Sequence, residues 1–159
     1  MTDEKVTATS RETDPTAVLE PFLGEWTVAP PGMLAGAGGR VTFERLGKLV
    51  VERGTVPIPD APDGVAVIRV DPQSGGFLQH YFDERGIARV YQMQFSDGVW
   101  TLSRITADVT PLDFKQRWRG TFREDGRVIE GAWEICHDDQ TWQKDFDLRY
   151  ERVGQRSPA

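Results

Sequence analysis

Five side chains able to do chemistry sit at alternating positions in strand-like segments: His80, Arg89, Tyr91, Arg104 and Gln116. An imidazole can shuttle a proton near neutral pH, and a guanidinium can clamp a carboxylate, phosphate or enolate through two N–H groups. A buried arginine without an acceptor costs several kcal/mol. Arg89 and Arg104 therefore demand either an anionic ligand or an internal carboxylate, for which Glu52 and Asp83 are the candidates. Trp118 and Trp133 could stack on the body of such a ligand. The plainer alternatives are a satisfied core histidine, arginines at a rim, and tryptophans that only pack.

Other chemistries are disfavoured. Cys136 stands alone, so no internal disulfide or cysteine cluster can form. With two histidines and no His-Glu-x-x-His spacing, a catalytic zinc site is not expected. No Gly-x-Ser-x-Gly elbow occurs. The Gly36-Ala37-Gly38-Gly39 stretch lacks the Lys-Ser or Lys-Thr ending of a phosphate loop. A net charge of −6 argues against nucleic acid or anionic membrane as a partner.

The elements that must position these groups can be read from the chain. Asp14 can cap a short helix, Pro15 suits its first position, and Val18, Leu19 and Phe22 make an apolar stripe ending at Gly24. From Trp26 onward the hydrophobic period is two. Strands are expected near 25–29, 39–46, 48–56, 64–70, 76–82, 87–95, 99–106, 113–123, 127–136 and 142–152. The fold class is thus all-β: an antiparallel barrel of about ten strands behind a short N-terminal helix. Residues 15–153 form the barrel, with 1–14 and 154–159 as disordered tails. The polar start carries no signal-peptide pattern, so a cytoplasmic protein is expected.

Turns fix register, and register fixes faces. A turn at Asp125-Gly126 sets Phe122 opposite Ile129, Gly120 opposite Gly131 and Trp118 opposite Trp133. Lys115, Arg117, Arg119 and Arg123 then face outward against Glu130 and Glu134. Asp97-Gly98 pairs Phe95 with Trp100, Met93 with Leu102 and Tyr91 with Arg104. A four-residue turn over 83–86 pairs Phe82 with Ile87 and brings His80 beside Arg89 on the inner face. A further hairpin corner at 137–141 pairs Trp133 with Phe146. The glycine pair Gly120 and Gly131 is expected to leave room in the interior.

Gly24-x-Trp26 after a short helix resembles the first signature of lipocalin-like (calycin) barrels. The segments 79–93, 97–102, 114–122, 131–134 and 145–148 are similar to a family of bacterial lipocalin-like domains. The likeness implies the barrel fold and leaves the function open. Nitrobindin-type haem barrels are a more distant resemblance. The glycines that follow Gly-x-Trp in those proteins are replaced here by Thr27-Val28-Ala29-Pro30-Pro31.

The expected function is binding of a small, partly apolar ligand with an acidic or carbonyl head group. His80, Arg89, Tyr91, Arg104 and Gln116 would hold the head, and Trp118 and Trp133 the body. One alternative is an isomerase- or cyclase-type enzyme with His80 as base and the arginines stabilising an oxyanion. Another is haem ligated by His80; otherwise no cofactor or metal is expected. A homodimer through an exposed strand face is left open.

Overall fold

Ten segments with alternating apolar and polar residues must each bury one face, and an antiparallel sheet closed on itself does so without leaving an edge. The computed structural model describes residues 14–33, 37–57 and 61–154. The expected tails, apart from Asp14 and Gly154, lie outside these residues, as does part of the glycine-rich loop. The strands are β1 (Gly24–Ala29), β2 (Gly39–Leu46), β3 (Leu49–Thr55), β4 (Gly64–Val70) and β5 (Phe77–Asp83). They continue as β6 (Ala88–Ser96), β7 (Val99–Arg104), β8 (Lys115–Arg123), β9 (Val128–Cys136) and β10 (Gln143–Arg152). Each pairs antiparallel with its sequence neighbours, and β1 pairs with β10 to close the barrel.

The N-terminal helix, Pro15–Phe22, is a 3-10 helix rather than an α-helix. Asp14 caps it by accepting the Thr16 N–H at 2.9 Å. Pro21 lies within it and cannot donate an α-helical hydrogen bond. Three residues per turn align Thr16, Leu19 and Phe22, all fully buried, while the expected stripe residue Val18 turns outward at 51% exposure. Phe22 plugs one end of the barrel, its ring 4.9 Å from Phe95, 5.1 Å from Trp100 and 4.9 Å from Phe122.

Three hairpin registers agree with the turn chemistry. Asp97 and Gly98 both adopt positive φ, as the right-handed strand twist requires of a two-residue turn. Phe95 pairs with Trp100, and Met93 with Leu102. Trp118 pairs with Trp133 and Phe122 with Ile129. Phe146 pairs with Trp133 across an irregularity between Lys144 and Phe146. On the outer face Arg117 bonds Glu134 at 2.8 Å and Arg123 meets Glu130 at 3.4 Å.

The hairpin at 83–87 differs by one residue. Phe82 pairs with Ala88, Tyr81 with Arg89 and Gln79 with Tyr91. The Asp83 carboxylate lengthens the loop by collecting the Arg85 N–H at 2.9 Å, the Arg85 guanidinium and the Tyr81 hydroxyl at 2.7 Å. A one-residue shift exchanges faces, so β5 turns Phe77, Gln79, Tyr81 and Asp83 inward. His80 goes outward.

The glycine pair does not leave empty space either. The Trp118 indole lies over it: a Cβ on Gly131 would stand 2.6 Å from Trp118 Cη2, and one on Gly120 2.7 Å from Cζ2. The same Gly131 Cβ would stand 2.4 Å from the Arg119 carbonyl oxygen. Gly131→Ala therefore forces both ring and backbone to move. We expect it to cost about 2–3 kcal/mol in urea unfolding, with a lower Tm.

Candidate functional site

With Phe22 plugging one end, access to the interior must come from the other, where small residues line β3 and β4. Gly54 pairs with Gly64, and Glu52 with Ala66. Together with Tyr81, Pro62 and Val65 they bound a cavity of about 100 Å³. An added Cβ on Gly54 would meet only Val41 Cγ2, at 3.8 Å, and the Arg40 carbonyl oxygen. That position is open for lack of a side chain, not because the backbone forbids one.

Glu52 is the charged group of this cavity. The Val50, Glu52, Gly54 alternation in β3 turns it inward. No basic side chain pairs with it among the described residues, and burial pushes its carboxyl up to about 7. Of the two candidate carboxylates, Asp83 pairs with Arg85, and Glu52 closes no arginine charge among the described residues. Tyr81 lines the same cavity. Behind Tyr81 a run of rings crosses the lumen: Tyr81 to Tyr91 at 6.4 Å, Tyr91 to Trp133 at 5.6 Å, and Trp133 to Trp118 at 5.7 Å. It ends with Trp118 to Tyr150 at 6.0 Å, and Tyr150 returns within electrostatic reach of Glu52. Burial and that carboxylate both hold the Tyr150 phenol protonated.

The expected arginine pocket is closed from within. Arg104, 3% exposed, donates to Asp108 through Nε at 2.8 Å and Nη2 at 3.0 Å. Nη2 also reaches Thr110 Oγ1 at 3.0 Å and the Pro111 carbonyl at 3.2 Å. Asp108 further accepts the Val90 N–H at 2.8 Å. Hydrogen bonds from Arg104 hold its carboxyl far below the usual carboxylate range. Arg89 keeps the inner parity of β6 but sits at the rim, over the Phe114 ring at 5.5 Å. It borders a recess of about 210 Å³ with Arg104, Asp113 and Phe114. Tyr91 donates to Gln116 Oε1 at 2.9 Å, so these two are brought together as expected.

His80 is the main correction. It faces outward and accepts from Arg69 Nε at 3.1 Å. Partial burial, and secondarily the Arg69 charge, lower its pKa. His137 is exposed at a turn, its ring 5.8 Å from Phe114. Neither histidine can reach a molecule inside the barrel. Trp118, 2% exposed, is occupied in covering Gly120 and Gly131. Among the described residues no cluster of His, Cys, Asp or Glu could hold a metal ion. No helix among them is long and apolar enough to cross a membrane.

Three buried polar atoms of the inner wall lack protein partners among the described residues: Gln79 Oε1, Trp100 Nε1 and Trp118 Nε1. A larger recess of about 700 Å³ lies outside, over β8 to β10 beside Pro31 and Gly32. There Arg149 is paired with both Glu130 and Glu151, and Arg119 lies along the same wall. The two indole N–H groups lie toward the plugged end, whereas the unpaired carboxylate, Glu52, is in the mouth cavity. Sequence reasoning missed Gln79 and Tyr81 through the one-residue slip, and Asp108 because an irregular loop carries no periodicity. Glu52 is legible as an internal carboxylate, but not as the one left without an arginine.

The two carboxylates give opposite pH dependences. Glu52 has its folded pKa raised above the ordinary 4.5, so the folded state holds a proton that the unfolded chain releases. Stability falls as pH rises from about 5 to about 7. Glu52→Gln removes that loss: equal to wild type near pH 4, and more stable by on the order of 2 kcal/mol near pH 8, by denaturant titration at each pH. Asp108 has its folded pKa depressed, so its contribution is present above about pH 4 and lost on acidification. Asp108→Asn strands the Arg104 charge, which should cost about 3–5 kcal/mol at neutral pH and flatten the acid limb of the stability curve.

No protein-family model matches the chain, and no curated protein matches it. Among solved structures it is similar to that of Rv2717c from M. tuberculosis, with a TM-score of 0.53 at 15% sequence identity. The alignment covers 89% of this chain and 99% of that one. At this identity the likeness is one of fold: a closed ten-stranded antiparallel barrel.

Proposed function

We propose that the protein binds a small, partly apolar molecule through the open end of its barrel. The observation that carries this reading is the mouth cavity, where Glu52 and Tyr81 line space left by Gly54, Gly64 and Ala66. A protein selected only for stability would fill such a space with side chains. The unpartnered Gln79 Oε1 supports the same reading, since buried polar atoms normally have partners. The resemblance of Gly24-x-Trp26 to lipocalin-like barrels agrees with an interior site.

The finer assignment changes. An acidic head group on Arg104 would compete with the Asp108 carboxylate, which already makes the bidentate contact. Acid–base catalysis or haem ligation by His80 would need an imidazole inside, and His80 points away. The groups that remain for a ligand are Glu52, Tyr81 and Gln79, with Tyr91, Gln116 and Trp133 behind them.

The test combines native mass spectrometry of freshly purified protein with tryptophan-fluorescence titrations. Three isosteric probes serve: choline, its carbon isostere in which carbon replaces the quaternary nitrogen, and the anion of tert-butylacetic acid. We expect a released adduct or a saturable response to at least one probe. Gly54→Leu, which fills the cavity without a backbone clash, should lose it while melting no lower than wild type. A clean mass together with no response to any probe would overturn the reading.

A further inference from the structure

Among the carboxylates at the open end of the barrel, the chain supplies a cation to Asp83 and to Asp108. Asp83 has Arg85 at 2.7 Å and Asp108 has Arg104 at 2.8 Å. Glu52, the one that faces the cavity, has none among the described residues. We infer that the cavity is a site for an organic cation, an amine or methylated ammonium group whose charge is met by Glu52 beside tyrosine rings. This rests on the interior-binding reading above and specifies its ligand class.

The chemistry around Glu52 is consistent in sign. The Tyr81 hydroxyl is committed to Asp83 and the Tyr91 hydroxyl to Gln116. What these residues can still offer a ligand is aromatic surface, which attracts cations through its quadrupole. Gln79 Oε1 pairs across the sheet with the Tyr91 position and stands two residues from Tyr81, and it is an acceptor without a donor. A carboxylate, an amide oxygen and ring surface all favour a positively charged or hydrogen-donating group. The unpartnered Trp118 Nε1 lies over Gly120, at the level of Trp100 and so toward the plugged end.

Other ligand classes fare worse on the same residues. An anion would be repelled by Glu52, and Arg104 is already neutralised. An uncharged apolar molecule would seal the carboxyl away from water with no counter-charge, at a cost of several kcal/mol if it stayed ionised. A cation turns that liability into a contact, because water exclusion strengthens the pairing it forms.

Calorimetric titration of the full chain near neutral pH with the three probes named above decides the matter. Choline should bind about tenfold or more tightly than its carbon isostere, and the tert-butylacetate anion most weakly. Glu52→Gln should abolish the preference while still binding the carbon isostere, which separates loss of charge from loss of the cavity. A melting temperature at or above wild type confirms that the variant is folded. Should it fail to fold, the choline-to-isostere ratio in wild type still decides. Equal binding of choline and its isostere, or stronger binding of the anion, overturns the cation assignment and leaves interior binding standing. An unchanged preference in Glu52→Gln also overturns it. If none of the three probes binds, the cation assignment fails, and where the native mass is also clean the interior-binding reading fails with it.

Discussion

The barrel depends on how its plugged end is locked. A 3-10 helix of eight residues cannot hold its own shape, and its last carbonyls need donors. Trp26 Nε1 bonds the Phe22 carbonyl at 2.8 Å, and Arg152 bonds the carbonyls of Leu23 and Pro21. The Arg152 guanidinium also stacks on the Trp26 ring, 4.2 Å from its centroid. Trp26 and Arg152 are paired residues of β1 and β10, the seam where the sheet closes. One contact group therefore joins first strand, last strand and helix. Phe22 can enter the lumen only because its backbone is anchored there. Gly24 is part of the arrangement: its φ is +120°, and a Cβ would stand 2.8 Å from Arg152 Nη1.

From that anchor the interior divides in two. Near the plug, Phe22, Trp100 and Trp118 fill the lumen edge to face, and Gly120 and Gly131 accommodate the indole. Toward the mouth the wall becomes polar, and polar groups inside a barrel must be matched. Asp108 and Arg104 satisfy each other and tie the β7–β8 loop to β6 through Val90. Asp83 ties Tyr81 to Arg85. Against this matched background, the cavity beside Glu52 is the exception. Function is sought where local consistency is broken.

Most of the fold was legible in the sequence, because a period of two and Asp-Gly turns are local signals. Ten strands and two hairpin registers follow from them, and the corner at 137–141 supplies a third. The failure at 83–87 has a local cause as well: Asp83 uses its side chain to build the turn, adding one residue to the loop. Backbone propensity does not reveal that. A slip of one residue then exchanged Gln79 and Tyr81 for His80 on the inner wall.

The sequence by itself determined the strands, the apolar inner face, the outer ladder of arginines against glutamates, and the helix cap at Asp14. Each follows from neighbours a few residues apart or from one turn. Only the tertiary structure decided which inward charges are neutralised. Arg104 meets Asp108 from a loop, whereas Glu52 on β3 meets no arginine among the described residues. Such pairings depend on distances across the closed sheet, and those exist only after β1 and β10 have met.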